Sequence, residues 1–234
     1  MKFATHQPTF MPWPGLVHKA LSVDKLVLLD MVQYPRGFSW VNRNRLKSMH
    51  GTVWLTVPVV KKGLGLQRID QVKVLEDPRW RKKHLMTFQH CYKSAPFFEE
   101  QYAFLSRLYS RAPEQLLDWN LALIDHIFRV FGVEKGYILQ SELKITAKGT
   151  ELIAQIGKAI GADELVVPRA GKGQIDVELL KKHEIKVTWL DYQYPVYPQL
   201  WGQFIKDLSS IDLLFNYGPY SRRILEKAQK KTVR

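Results

Sequence analysis

The chain has 234 residues, enough for one large domain or two small ones whose core needs neither disulfides nor metal. Apolar residues make up 46% and aromatic residues 12%, which excludes a disordered chain, while a formal charge of +13 suits an anionic partner. The single cysteine, Cys91, excludes a disulfide framework and makes a reduced, cytosolic setting the default, and no run of about 18 apolar residues is present to cross a membrane.

In chain order, "KFATH" and "DKLVLLD" read as short buried strands. Between them "GLVHKALSV" reads as a short helix with Leu16, Ala20 and Val23 on one side. Strand, loop, helix, strand opens a βαβ unit, and a right-handed crossover makes the two strands parallel neighbours. The loop "HQPTFMPWPG", residues 6–15, then lies at the carboxyl end of the first strand, where open α/β sheets bind ligands. Pro8, Pro12 and Pro14 also break any secretory apolar run.

"WVNRNRLKS" reads as extended, and "TVWLTVPVV" and "IDQVKVL" as strands. From Pro78 to Phe131 the pattern predicts three helices, each with a proline at or near its first turn, the last ended by Gly132. "YILQSEL" follows as a strand, "KGTELIAQIGKAIGA" as an amphipathic helix, "ELVVPRAGKG" as a strand leading into a loop, "VELLKKHE" as a helix and "IKVTWLDYQY" as a strand. The end reads as helix, Gly-Pro turn and helix, with "RRILEKAQKKTVR" a solvated helix end and frayed terminus. The expectation is an α/β fold with a mainly parallel central sheet and a helical C-terminus. It forms one compact unit over 1–234, with a helical insertion at 78–132.

Four stretches carry candidate chemistry. In the opening loop three prolines fix φ and remove three backbone donors, so side chains there are held at little cost. His6 can act as a general acid or base, its reference pKa lying near neutrality, or can simply tie the loop down by hydrogen bonds; Gln7 stands beside it. In "LLDMVQYPRGFSWVNRNRLKS", Asp30 ends a strand and Gln33 and Tyr34 follow. Strand alternation turns Asn42 and Asn44 one way and Arg43 and Arg45 the other. Two guanidinium groups on one face can clamp a phosphate or carboxylate, or can be the charges that blunt a solvated edge strand.

The third stretch, "PRAGKGQID", offers the amides of Gly171 and Gly173 with Lys172 as a weak phosphate loop; the P-loop spacing is absent and a plain turn reads equally well. In the fourth, Tyr197 and Gln199 precede a helix on which Asp212 and Asn216 share a face. That pair can orient a substrate, or Asn216 can be a C-terminal cap. Cys91 reads as a buried small residue rather than a nucleophile. No HExxH, CxxC, GxSxG or GxGxxG occurs, and His84 and His90 are six residues apart, so neither a metal site nor a dinucleotide cofactor is expected.

Taken together, "HQPTFMPWPG" with Lys19, "LLDMVQY", "WVNRNRLK", "WLTVPV", "SEL", "GAD", "YPQL" and "DLSSIDLLFNYGP" resemble the WbqC-like protein family, in its order and over most of the chain. The resemblance implies a bacterial protein encoded among genes for O-antigen or other surface polysaccharides, with glycyl or other aminoacyl transfer onto an amino sugar as a proposed activity. The chain departs from the family where a small polar loop becomes "PRAGKGQID", and slightly in "SSIDLL". The opening also looks like the start of a HUP-type nucleotidylyltransferase, but the HxGH histidines are missing: histidines fall at 6 and 18, and Trp13 and Pro14 occupy that region.

The first functional expectation is a transferase using a nucleotide-linked or phosphorylated (amino) sugar. His6 is its acid–base group, Arg43 and Arg45 form an anion clamp, and Gln7, Gln33, Tyr34, Asn42 and Asn44 orient the substrate. A second is a nucleic-acid binder, such as one of tRNA, which the charge invites but no clustered basic stripe supports. A third is a non-catalytic sugar-binding assembly factor using Trp13, Tyr34 and Trp40.

Overall fold

The structure is a computed structural model that describes residues 1–230; the frayed end expected at 231–234 lies outside the described residues. In chain order the elements begin with β1 (Lys2–His6), α1 (Pro14–Leu21) and β2 (Lys25–Leu28), followed by β3 (Arg43–Ser48) and β4 (Gly51–Thr56). Three long helices come next, α2 (Pro78–Tyr92), α3 (Phe98–Arg111) and α4 (Leu116–Phe131), then β5 (Ile138–Leu139) and the one-turn α5 (Gln140–Leu143). The last third holds α6 (Gly149–Ala159), β6 (Glu164–Pro168), α7 (Val177–Lys182), β7 (Lys186–Leu190), α8 (Ser210–Tyr217) and α9 (Ser221–Lys230).

The central sheet is parallel throughout, in the order β5-β2-β1-β6-β7. The chain builds outward from β1 to β2 and β5, then returns to the other side of β1 for β6 and β7. The direction therefore reverses between β1 and β6, and the crevice at their carboxyl ends is the topological switch point where such sheets receive ligands.

Alternate residues of each strand face two different cores. Ala4, Leu26, Leu28 and Val166 join a large cluster with α1, α2, α3, α4 and α8; Phe3, Val27, Leu165 and Val167 pack with α6 and α7 on the other face. On that second face Gly157 allows close contact, since a Cβ there would lie 3.0 Å from the Phe3 ring and 2.8 Å from Ile185. The large cluster runs without a break from the sheet into α2, α3 and α4, through Phe88, Leu105, Trp119 and Phe131. That continuity supports, as a proposal, treating residues 78–132 as an insertion within one unit.

The α/β architecture, parallel sheet and helical C-terminus match the sequence reading. Three local readings change. "TVWLTVPVV" is a strand only to Thr56, and it pairs with β3 in a separate antiparallel hairpin rather than in the main sheet. "IDQVKVL" is a single 3-10 turn at Ile69–Gln71 with isolated bridges, because Ile69 and Asp70 give their N–H groups to Val32 and Asp30 carbonyls across a loop. "YILQSEL" is extended for only two residues. The buried Asp30 carboxylate accepts from Ser141 N at 3.0 Å and Ser141 Oγ at 2.5 Å, and so fixes the first turn of α5.

The opening loop is held by borrowed donors. Asn44 Nδ2 on β3 donates to Phe10 O at 3.2 Å and Met11 O at 2.7 Å. Asn120 Nδ2 on α4 donates to Pro8 O at 2.9 Å and also to Val41 O at 2.8 Å. Ser210 N, at the start of α8, reaches Pro12 O at 2.8 Å. Removing a buried donor leaves carbonyls unsatisfied at about 1–3 kcal/mol. Asn44→Ala and Asn120→Ala should each lower the urea-unfolding free energy by about 2 kcal/mol or more; a loss under about 0.5 kcal/mol would show that these amides are dispensable.

Candidate functional site

β1 delivers His6 to the crevice, and the proline-rich loop forms the adjoining wall. His6 is half-buried. Its Nδ1–H donates to the Gln7 carbonyl at 2.7 Å, which fixes the tautomer and leaves Nε2 as the lone-pair nitrogen, with no hydrogen bond among the described residues. Burial, helped by the nearby Lys19 charge, pulls the imidazole pKa down to about 3. Lys19 on α1 is itself buried, donates to Thr5 O at 3.1 Å, and is lowered by burial to about 8.

His6, Thr9, Trp13, Trp40, Asn44, Arg45 and Asp207 line a cavity of about 420 Å³. A shallower one of about 310 Å³ adjoins it and shares His6, Thr9 and Trp40, adding Gln7, Pro35, Phe38 and Ser39. Two backbone features shape the walls. Met11 (φ 44°) and Asp207 (φ 56°) are both held in the left-handed region, a strain that costs about 1–3 kcal/mol each and that surrounding contacts must hold. The Trp13 indole lies over Gly15, where a Cβ would meet the ring at 2.5 Å, and stacks edge-on against Tyr192 with centroids 4.8 Å apart.

Arg45 closes the floor. Its Nε donates to Asp207 O and its Nη2 to Lys206 O, both at 3.3 Å, so it binds two carbonyls of the segment joining β7 to α8. Lys47, on the same face of β3 and fully buried, ties the same segment through Gln203 O at 2.5 Å. Among the described residues neither Lys19, Arg43, Arg45 nor Lys47 has a carboxylate within 4.0 Å. Of these cations only Arg45 lines the cavity, and it is the charge there that an anion can meet. The hydroxyl of Thr9 is buried without a hydrogen-bond partner, as is that of Tyr192, whose pKa burial and then Asp207 push up.

The other candidates are dispersed. Strand alternation does put Arg43 and Arg45 on one face of β3, but their roles divide. Arg43 lies over the rings of Phe38 and Trp54, 5.2 and 5.0 Å from the centroids, and does not line the cavity, so the two do not form one clamp. Asn42 donates to Val57 O, and Asn44 touches the cavity while its amide holds the loop. Tyr34 is buried, with Lys61 over its ring and its pKa raised by burial to about 12. Asp30 is committed to Ser141. Gln33 lines a different cavity, of about 520 Å³, and pairs with Arg68.

Asp212 is inaccessible and accepts from Tyr92 Oη at 2.6 Å and Tyr197 Oη at 2.7 Å. Asn216 shares its face as the spacing requires, but donates to the Asp212 carbonyl, and Gln199 is closed onto Ile205. These four brace the core beneath the segment rather than face the cavity. Gly171, Lys172 and Gly173 follow β6 in a 3-10 turn and line none of the cavities described here. Cys91 is buried, its thiol pKa pushed up by burial. The larger cavity of about 590 Å³, between Tyr194, Tyr197 and Ile224, contains no histidine or arginine.

Thr9, Phe38 and Asp207 line the two cavities at His6 although the sequence reading gave none of them a role, all three lying inside stretches it quoted. Only the return of "DLSS" to the carboxyl end of the sheet, a long-range fact, makes Asp207 a lining residue.

A sequence profile of the WbqC-like protein family matches residues 7–224, from the cavity wall to α9. The chain belongs to the WbqC-like protein family. It is also similar to an uncharacterized protein of Mycobacterium tuberculosis, Rv1507c, with 31% identity over 219 residues that cover 93% of this chain and 94% of the relative. No solved structure matches the chain. The matched span of this WbqC-like chain includes Gln7, Lys19, Trp40, Arg45 and Asp207 but begins one residue after His6. Among the described residues no helix is long and apolar enough to cross a membrane.

Because His6 is held neutral, its imidazole signals should show no titration between pH 5 and 8 in an NMR pH series of the free protein. An inflection near 6.5, the ordinary histidine value, would contradict the burial described.

Proposed function

We propose that the protein is a transferase acting on a nucleotide-linked or phosphorylated sugar, bound in the cavity at the carboxyl end of β1. The observation that carries this reading is Arg45, a cation without a carboxylate partner among the described residues, lining the same cavity as a neutral histidine. The location supports it too, since the cavity sits at the switch point of a parallel sheet. Family membership supports the setting, surface-polysaccharide synthesis; aminoacyl transfer, in which the amine of an amino sugar is the acceptor and the sugar–phosphate bond stays intact, is a different reaction at the same site.

In this reading the acceptor's hydroxyl or amine attacks the carbon to be transferred. The new bond forms there as the bond to the leaving phosphate oxygen breaks and its electron pair stays with the phosphate. The acceptor proton passes to His6 Nε2, while Arg45 stabilises the departing charge. His6 is unprotonated at neutral pH in the free protein, so its role narrows from acid–base to base. A phosphate bound beside it offsets the Lys19 charge and raises its basicity toward the useful range. Asp207, a lining residue of the cavity, is the acidic candidate there for a sugar hydroxyl or ammonium.

The test is ligand binding to the Arg45 variants. A charge-assisted hydrogen bond contributes about 1.5–3 kcal/mol, so Arg45→Ala should weaken affinity for nucleotide sugars at least tenfold by calorimetry, with Arg45→Lys intermediate. Unchanged affinity in Arg45→Ala would move the anion elsewhere.

A further inference from the structure

A cluster of exposed aromatic side chains extends from the rim of the anion cavity. Phe38, Trp40 and Trp54 are 56%, 43% and 38% exposed, where rings of this size are ordinarily buried. They are not scattered. Phe38 stands perpendicular to both indoles, at 85° and 89° with centroids 5.1 and 5.5 Å apart, and the two indoles lie 5.5 Å apart at 37°. The result is an aromatic corner whose rings fix one another's orientation.

We propose that Phe38, Trp40 and Trp54 form a stacking subsite for the nucleobase of a nucleotide whose phosphates reach Arg45. This rests on the anion-site reading above and deepens it by choosing a nucleotide over a simple sugar phosphate. Continuity is the first argument. Trp40 lines both the Arg45 cavity and its shallower neighbour, and Phe38 lines the neighbour, so a ligand anchored by phosphate at Arg45 extends over these rings. The hairpin supplies the second. Arg45 pairs directly with Trp54 across β3 and β4, which puts the guanidinium and the indole on one face of the same two-stranded element.

The third argument separates a base from a sugar ring. Arg43 lies against Phe38 and Trp54, and its guanidinium draws on their π-clouds. A cation behind a ring makes its outer face less negative. That weakens attraction for the polarised C–H groups of a pyranose more than attraction for another π-system, which stacks by dispersion over its whole plane. The 37° wedge between the indoles, with centroids 5.5 Å apart, leaves no room for a base between them, so the base lies on the outer face of the corner.

The test compares ADP, GDP, CDP and UDP with inorganic pyrophosphate, a base-free probe, by calorimetry and tryptophan fluorescence on the full-length chain. At least one nucleoside diphosphate should bind about tenfold or more tighter than pyrophosphate, the margin expected of one stacked base. Phe38→Ala and Trp54→Ala, at residues that do not line the Arg45 cavity, should erase that margin and leave pyrophosphate affinity within about twofold, and Phe38→Tyr should keep most of it. Pyrophosphate binding as tightly as every nucleoside diphosphate, or Phe38→Ala weakening both alike, overturns the subsite. If pyrophosphate binding still depends on Arg45, the anion-site reading survives that result. If neither pyrophosphate nor any nucleotide binds the wild-type chain, both fall together.

Discussion

The structure of this protein turns on how a loop with few backbone donors satisfies its carbonyls. Pro8, Pro12 and Pro14 carry no N–H, and the carbonyls of Pro8, Phe10, Met11 and Pro12 lie in the interior, where an unpaired one is costly. Each is met by a group from elsewhere: Asn120 on α4, Asn44 on β3 and the Ser210 amide at the head of α8. Phe10 closes the circuit by donating its own N–H to Trp40 O. The loop therefore reads the positions of three distant elements at once. It cannot settle until the hairpin, the helical middle and the C-terminal helices are all in place.

The same constraint places the chemistry. Asn44 faces inward to hold the loop, so strand alternation turns Arg43, Arg45 and Lys47 to the opposite face. Arg45 and Lys47 then bind carbonyls of the segment between β7 and α8, and that segment brings Asp207 to the cavity. Beneath it Asp212 gathers the Tyr92 and Tyr197 hydroxyls, and Tyr92 accepts the Lys47 amide, so strand and helix are locked in register. Cations spent on carbonyls rather than on carboxylates keep part of their charge available. Arg45, the cation among the cavity's lining residues, is held this way without a ligand and still presents charge to an anion.

Much of this was legible in the sequence, and what was not has identifiable causes. β1, α1 and β2 follow from apolar periodicity and from prolines that can only be loop or first turn. Helices α2 to α4 follow from length and amphipathic spacing. The alternation of Asn42 to Arg45 is a property of any extended chain, so its two faces could be read in advance. What the arginines do there could not, because Phe38 and Trp54 reach Arg43 through tertiary packing. Asp212 and Asn216 share a face as their spacing requires. However, a carboxylate aimed into a core and one aimed into a cavity look alike in sequence. The strand reading at 69–75 failed, and that at 137–143 held only for Ile138–Leu139, which pairs with β2, because the other residues bond to loop carbonyls and to Asp30. His6 could be read as a candidate site residue but not as a neutral one, since its lowered pKa comes from burial in the fold and then from the Lys19 charge.

The central claim is that residues 6–15 form a rigid wall held by distant donors. Amide hydrogen exchange of the free protein tests it most directly, read at Phe10, whose N–H has the only backbone partner within the loop's tip. The account predicts that Phe10 exchanges as slowly as the β1 amides. Exchange as fast as at Gly63 and Gly65, in the exposed loop after Lys62, would mean that the wall opens locally and that the cavity is not preformed.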